Sequence, residues 1–205
     1  MIDISKINFE KLNGLVPAIV IDKNTNQVLM LGFMNEEALH KTIELKRVTF
    51  FSRTQNKLWT KGETSGNYLE LQSIRNDCDN DTLLIEALPV GNTCHTGEYS
   101  CFNLPKNNVH FLSNLFDLVE KRKIEMPEKS YTTKLFKEGA DRIIQKVGEE
   151  SIETIIAAKN RDKEEVVNET ADLLFHLLVM LSEQGIQLNT VIDKLIERHT
   201  EKKKS

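Results

Sequence analysis

Asp77, Asp79 and Asp81 stand at every second position of the run "NDCDND" (residues 76–81), with Cys78 among them. Three carboxylates in so short a stretch repel one another and call for positive charge. A divalent metal would supply it, and a solvated surface turn is the alternative. An EF-hand loop is excluded. Counting Asp77 as its first position, the sixth is Thr82 rather than Gly and the twelfth is Leu88 rather than Glu. On a strand the three aspartates would share one face and Cys78 would face the other way, so they need not bind one ion.

The remaining cysteines, Cys94 and Cys101, lie in "GNTCHTGEYSCF" with His95, Gly91 and Gly97. Three thiolates suit Zn2+, and a three-ligand site leaves a fourth position for water. Zinc brings the pKa of that water toward ~7, which makes a nucleophile near neutrality. The spacing is not that of a CxxC finger, and three small buried thiols are the alternative. The flanking acids and the Gly/His loop favour a metal. His95 is a candidate proton shuttle, a ligand or a plain loop histidine. "WTKGETSGN" (59–67) offers Lys61, Gly62, Thr64, Ser65 and Gly66. Backbone N–H groups and hydroxyls in such a loop can cradle a phosphate, with Arg53 and Lys61 adding charge. An ordinary hairpin end has the same composition.

A second acidic set lies further on. In "GEESIETIIAAK", Glu150 and Glu153 are three residues apart and Glu149 and Glu153 four; in "NETADLLFH", Glu169 and Asp172 are three apart. On helices such pairs share a face. Two pairs on adjacent antiparallel helices could converge on a divalent ion. With oxygen ligands alone, that ion is Mg2+ or Mn2+ and the substrate groups are phosphates. A solvated acidic face is the alternative, and it is the reading adopted for Glu164 and Glu165. His176, four residues after Asp172, either orients a carboxylate or is a satisfied core histidine.

Two kinds of element must position these residues. Over the first hundred residues turn signals recur at short spacing. "AIVID" (18–22) and "QVLMLGF" (27–33) predict a hairpin, and Asn35 predicts the cap of a helix over 36–46. "VTFFSR" (48–53) and "KLWTK" (57–61) flank another turn, and "NYLELQSIRNDCDND" and "TLLIEALPV" add two extended runs. Pro105 and its polar neighbours mark a linker. From Phe111 the period becomes helical. Helices are predicted over 111–123, from Tyr131 to about Asn160, over 162–185 and over 188–199. The third, apolar almost all round from Ala171 to Leu181, is expected to be buried. The expected fold is a mainly β, α+β domain (1–107) followed by an all-α helical bundle (108–205).

Composition narrows the function. The chain has 205 residues, 40% of them hydrophobic, and a formal charge of −4. Residues 1–110 carry 11 Lys and Arg against 13 Asp and Glu, and the rest 16 against 18. That evenness argues against a nucleic-acid platform. "KKK" (202–204) reads as a solvated end. The first residues show no signal peptide, and "ADLLFHLLVML" (171–181) is too short to span a bilayer. A cytoplasmic protein is expected, where three cysteines are poor material for disulfides.

"SRTQNKLWTKGETSGN", "NDCDND" and "CHTGEYSCF" resemble phosphoribosyl-AMP cyclohydrolase through nearly all of residues 17–103. "KVGEESIETIIAAKN" and "NETADLLFHLLVML" resemble phosphoribosyl-ATP pyrophosphohydrolase, an all-α family, over about 113–199. Their fusion resembles the bifunctional histidine-biosynthesis enzymes. The resemblance implies Mg2+ on Asp77, Asp79 and Asp81, and Zn2+ on Cys78, Cys94 and Cys101. It implies a homodimer whose zinc ligands come from both subunits. It further implies that Glu149, Glu150, Glu153, Glu169 and Asp172 hold Mg2+ on the triphosphate of phosphoribosyl-ATP. Asn67 stands where many relatives have His, and Ser151 where Ala is common; Asn67 is given no catalytic role. Two rivals stay open: a broad nucleoside triphosphate pyrophosphatase with a zinc-stabilised appendage, and a zinc-held nucleotide-sensing module without turnover.

Overall fold

Alternating apolar residues on either side of "KNTNQ" close the first hairpin. Strands β1 (Val16–Asp22) and β2 (Val28–Met34) pair antiparallel, with Val16 opposite Met34. Val16, Ala18 and Val20 point inward and are fully buried. Strands β3 (Thr49–Ser52) and β4 (Lys57–Thr60) form a separate two-stranded sheet. Strands β5 (Leu69–Asn76) and β6 (Leu83–Pro89) complete the main sheet in the order β2-β1-β6-β5. β6 runs parallel to β1, with Asp22 opposite Ala87. The computed structural model describes residues 2–201, so Lys202, Lys203 and Lys204 lie outside the described residues.

Asn35 caps helix α1 (Glu36–Leu45) as its sequence predicts, its Oδ1 accepting from the Ala38 N–H at 2.8 Å. That satisfies one of the orphan donors of the first turn. Ala38 and Leu39 of α1 join a core built from Val16, Val20, Leu29, Val48, Phe50, Leu69, Leu83 and Ile85. Gly32 lets β2 lie directly against the Phe50 ring, with which a Cβ at that position would collide.

The chain divides into two compact units between Phe111 and Leu112. The second is helical: α2 (Phe111–Glu125), α3 (Tyr131–Glu138), α4 (Ala140–Asn160), α5 (Lys163–Glu183) and α6 (Leu188–Glu201). The helix expected from Tyr131 to Asn160 is therefore two helices. Gly139, at φ +90, breaks it in a conformation that other residues rarely adopt. Asp162 caps α5 by accepting from the Glu164 and Glu165 N–H groups at 3.1 Å each. The small core of this unit is Val119, Leu135, Ile143 and Val179. The expected burial of α5 along its apolar length does not occur in a single chain. Only His176, Leu178, Val179 and Ser182 are buried, and Leu174 is exposed. Its main partner is α4. No described helix is long and apolar enough to cross a membrane.

Gly32→Ala should lower stability by about 1–3 kcal/mol, because the added methyl overpacks the fully enclosed Phe50. Chemical denaturation followed at Trp59, whose ring lies 5.2 Å from that of Phe50, reads the change. An unaltered midpoint would mean that the ring moves aside freely.

Candidate active site

The three aspartates do converge, but not by strand alternation. β5 ends at Asn76 and β6 begins at Leu83, so residues 77–82 form the turn between them. Asp77 Oδ1 accepts from the backbone N–H groups of Asp81 (3.0 Å) and Thr82 (3.1 Å), and Asn80 takes φ +63. This curl brings one oxygen of each of Asp77, Asp79 and Asp81 within 4.8 Å of the others. Lys11 seats its ammonium between them, 2.8 Å from Asp79 Oδ2 and in contact with Asp81 Oδ2. Lys11 holds the Asp81 carboxyl below the usual carboxylate range, and Asp79 and Asp81 hold the lysine above its own. Cys78 is exposed in the same turn.

Cys94 and Cys101 sit at the other end of β6. Tyr99 fixes their loop by donating to Asp22 Oδ2 at 2.6 Å, and its hydroxyl lies 2.7 Å from that of Thr25. The Cys101 N–H donates to the Leu29 carbonyl at 2.8 Å and the Ser100 hydroxyl to the Val28 carbonyl at 2.7 Å. The Thr96 hydroxyl donates to Cys94 Sγ at 3.1 Å and pulls that thiol below its ordinary value, while burial first, and then Cys94, push Cys101 up. Among the described residues no group of three potential metal ligands includes a cysteine. Two thiols meet in one chain, and Cys78 does not join them.

The "KGETS" loop faces these thiols. Lys61, Gly62, Thr64 and Ser65 line a cavity of about 270 Å3 with His95 and Cys101, floored by Met30 and Trp59. Gly62, at φ +91, lets the chain fold back against Asn67, where a side chain would strike the backbone. Burial lowers the Lys61 pKa, and the neighbouring cysteines oppose that shift. Thr93, also in the lining, has a buried hydroxyl with no partner among the described residues. An orphaned hydroxyl beside a lysine, an imidazole and a thiol fits a polar, anionic ligand. Two sequence candidates lie elsewhere. Arg53 stacks its guanidinium 3.7 Å above the Phe33 ring, and Gly66 is outside the lining.

In the helical unit, Glu150 of α4 and Glu169 and Asp172 of α5 bring one oxygen each within 4.8 Å of the others. Glu150 is buried, the other two less so. Burial, then the charges of Glu153, Glu150 and Asp172, raises the Glu169 pKa. Glu153 is thus a near neighbour outside the trio. Glu149 is held apart by Lys146 (2.9 Å), Arg142 (3.3 Å) and Gln145 (2.8 Å). Lys146 also reaches Glu150 Oε1 at 2.6 Å. His176 has the partners of a satisfied core histidine. It is buried, its Nδ1 lies 2.8 Å from the Asp172 carbonyl and 3.7 Å from Glu150 Oε1, and its Nε2 meets the Tyr131 hydroxyl at 3.1 Å. With the Nδ1 proton donated to that carbonyl, Nε2 accepts from Tyr131. Three carboxylates with this spacing and this oxygen-only chemistry suit a small divalent ion.

A family model described as phosphoribosyl-AMP cyclohydrolase matches residues 30–103, and one described as phosphoribosyl-ATP pyrophosphohydrolase matches residues 112–199. The chain is 53% identical to the "Histidine biosynthesis bifunctional protein HisIE" of Bacteroides thetaiotaomicron over 197 residues, covering 95% of this chain and 97% of that one. The chain belongs to the bifunctional HisIE family. The HisIE protein of Escherichia coli (strain K12) is 54% identical over 194 residues, 95% of this chain and 96% of the relative. That of Photobacterium profundum is 52% identical over 202 residues, 96% and 98% of the two. HisIE membership makes the chain a hydrolase with two activities, a cyclohydrolase and a pyrophosphohydrolase.

Four residues at these candidate sites escaped the reading of the sequence: Lys11, Thr93, Tyr99 and Lys146. Only Lys146 had a local signal, since it lies three and four residues before two glutamates.

The raised Glu169 pKa has a pH signature. The folded chain protonates Glu169 more readily than the unfolded chain, whose glutamates titrate near ~4.3. Metal-free stability from this group is present below that value and is lost as pH rises through the higher folded value. The denaturation midpoint of the metal-free wild type, minus that of Glu169→Gln, should therefore fall as pH rises from about 4.5 to 7. A difference that does not change with pH would mean that Glu169 titrates as it does in the unfolded chain.

Proposed function

We propose that the chain catalyses two consecutive steps of histidine biosynthesis, one in each unit. The C-terminal domain (108–205) hydrolyses phosphoribosyl-ATP to phosphoribosyl-AMP and pyrophosphate. The N-terminal domain (1–107) then opens the adenine ring of phosphoribosyl-AMP between N1 and C6. The observation that carries this reading is that each region matched by a family model holds its own trio of converging carboxylates.

In the first step Glu150, Glu169 and Asp172 would hold Mg2+, which when bound neutralises charge on the phosphate oxygens. Glu153, beside Glu169 but outside the trio, orients water toward the α-phosphorus. The water oxygen bonds to phosphorus as the bond to the bridging oxygen breaks, and pyrophosphate leaves. His176, fixed by Tyr131 and the Asp172 carbonyl, packs beside Glu150 as part of the site's wall. Glu149 serves this site through its cationic neighbours rather than as a ligand.

In the second step Lys61, Thr64, Ser65 and the backbone around Gly62 bind the nucleotide phosphate. The ribosyl group on N1 makes C6 electrophilic. Zinc on Cys94, Cys101 and Cys78 of a second copy would supply the Lewis acidity that ionises water near neutral pH. Water adds its oxygen to C6, the N1–C6 bond breaks, and N1 takes up a proton. His95, in the cavity wall, carries that proton. Asp77, Asp79 and Asp81 would hold Mg2+ at the same composite site. The homodimer this requires is supported by the exposed apolar side chains of the helical unit, among them Ile155 (65% exposed), Val167 (67%), Leu195 (56%) and Ile196 (58%). Three free thiols suit a cytoplasmic setting.

Removing zinc with a selective chelator, Mg2+ kept in excess, should stop ring opening of supplied phosphoribosyl-AMP and spare pyrophosphate release. Cys101→Ser should do the same, lose bound zinc and loosen the dimer. Full zinc content with normal ring opening in that variant would remove Cys101 from the ligand set.

Asp172→Asn and Glu153→Gln should each lower pyrophosphate release by about 100-fold or more while ring opening continues. Their metal-free melting temperatures should hold or rise, because each removes charge from a crowded acidic cluster. Near-normal release in both would place the metal elsewhere, and a collapsed melt would mean that these acids hold the bundle together.

A further inference from the structure

Lys146 stands one turn before Glu150 on α4 and is mostly buried, with 18% of its side chain exposed. Its ammonium lies 2.6 Å from Glu150 Oε1 and 2.9 Å from Glu149 Oε2. Glu150 is the buried member of the trio with Glu169 and Asp172. Among the described residues no other lysine or arginine pairs with that trio. One positive charge therefore sits on the carboxylate that a divalent ion would also use. An ammonium and a divalent ion on the same carboxylate repel each other at contact distance, so each weakens the hold of the other. The lysine stem has four carbons, so its head can swing away while the α4 backbone stays in place. The nearest strong anion once a nucleotide arrives is its phosphate chain, and a compact ammonium is a good phosphate partner.

We propose that Lys146 is the resident counter-ion of the metal-free carboxylate site, that it leaves Glu150 when the divalent cation binds, and that it then pairs with a phosphate oxygen of the nucleotide. The inference rests on the reading of Glu150, Glu169 and Asp172 as a metal site. It adds a substrate-binding residue to that site, and it gives metal and nucleotide a shared group through which each favours the other. Metal binding frees the ammonium for phosphate, and phosphate binding keeps it off Glu150.

The test uses the full chain and Mn2+ as probe, with free Mn2+ counted by its electron spin resonance. The class of Mn2+ sites lost in Glu169→Gln marks the helical trio. In Lys146→Met that class should bind Mn2+ about 3- to 10-fold more tightly than in the wild type, as expected for loss of one competing ion pair. Lys146→Arg, which keeps the charge on a group harder to displace, should bind Mn2+ no more tightly than the wild type. At saturating metal, Lys146→Met should raise KM for phosphoribosyl-ATP about 10-fold, and Lys146→Arg by less. Lys146→Gln gives the same readings should the Met variant not fold. Unchanged or weaker Mn2+ binding in the neutral variants overturns the counter-ion role, and an unchanged KM overturns the phosphate role. Should Glu169→Gln remove no Mn2+ sites, the metal reading itself fails. That outcome is distinct from a trio that binds Mn2+ but is indifferent to Lys146.

Discussion

Strand β6 is the constraint that holds apart the aspartates and the thiols of the first unit. Seven residues of extended chain span roughly 20 Å, and they separate the turn of Asp77, Cys78, Asp79 and Asp81 from the loop of Cys94 and Cys101. Neither end is free to travel. Parallel pairing sets Ala87 of β6 against Asp22 of β1, and Tyr99 ties the cysteine loop to that same Asp22. The other end is tied down by the Asn8 N–H, which donates to the Asn80 carbonyl at 2.7 Å. A strand within a sheet cannot contract, so a single copy cannot bring Cys78 to the other two thiols. A site built from all three needs the turn of one copy beside the loop of another. The same geometry would carry the aspartates to the cavity with Cys78.

The helical unit obeys a different constraint, the repulsion of its own acids. Helices α4 and α5 pack closely because Ile143 and Val179 lie between them in the core. That packing forces Glu150, Glu169 and Asp172 together. Burial and like charge then raise the Glu169 pKa. Such an arrangement would disfavour the metal-free fold and favour a bound ion.

Much of this was legible in the sequence where local chemistry decided the outcome. The hairpin, the Asn35 cap and the approach of Glu150, Glu169 and Asp172 follow from alternation, capping and helical spacing. The aspartate trio was legible as a cluster, but its geometry was misread. Alternation suggested a strand, and the hydrogen bonds of Asp77 to Asp81 and Thr82 make a turn instead. The break at Gly139 was missed because the apolar period continues across it, and period does not report backbone dihedral. The exposure of α5 could not be read from one chain, because composition records what must be covered and not what covers it. Thr93 and Tyr99 gave no signal at all. Their roles depend on Asp22 and on a cavity wall, both distant in sequence.

Both carboxylate trios have a lysine paired with them: Lys11 with Asp79 and Asp81, and Lys146 with Glu150 and with Glu149 beside the trio. The residue type matters. An arginine would grip a carboxylate through two parallel hydrogen bonds, with a planar group hard to displace from a crowded site. A lysine offers the same charge as a point, on a flexible stem, and leaves one carboxylate oxygen at a time. Each cluster therefore folds with its repulsion partly neutralised, and its oxygens would still be open to a divalent ion. Folding without metal and binding of metal would make opposite demands on the same acids, and a movable ammonium would meet both.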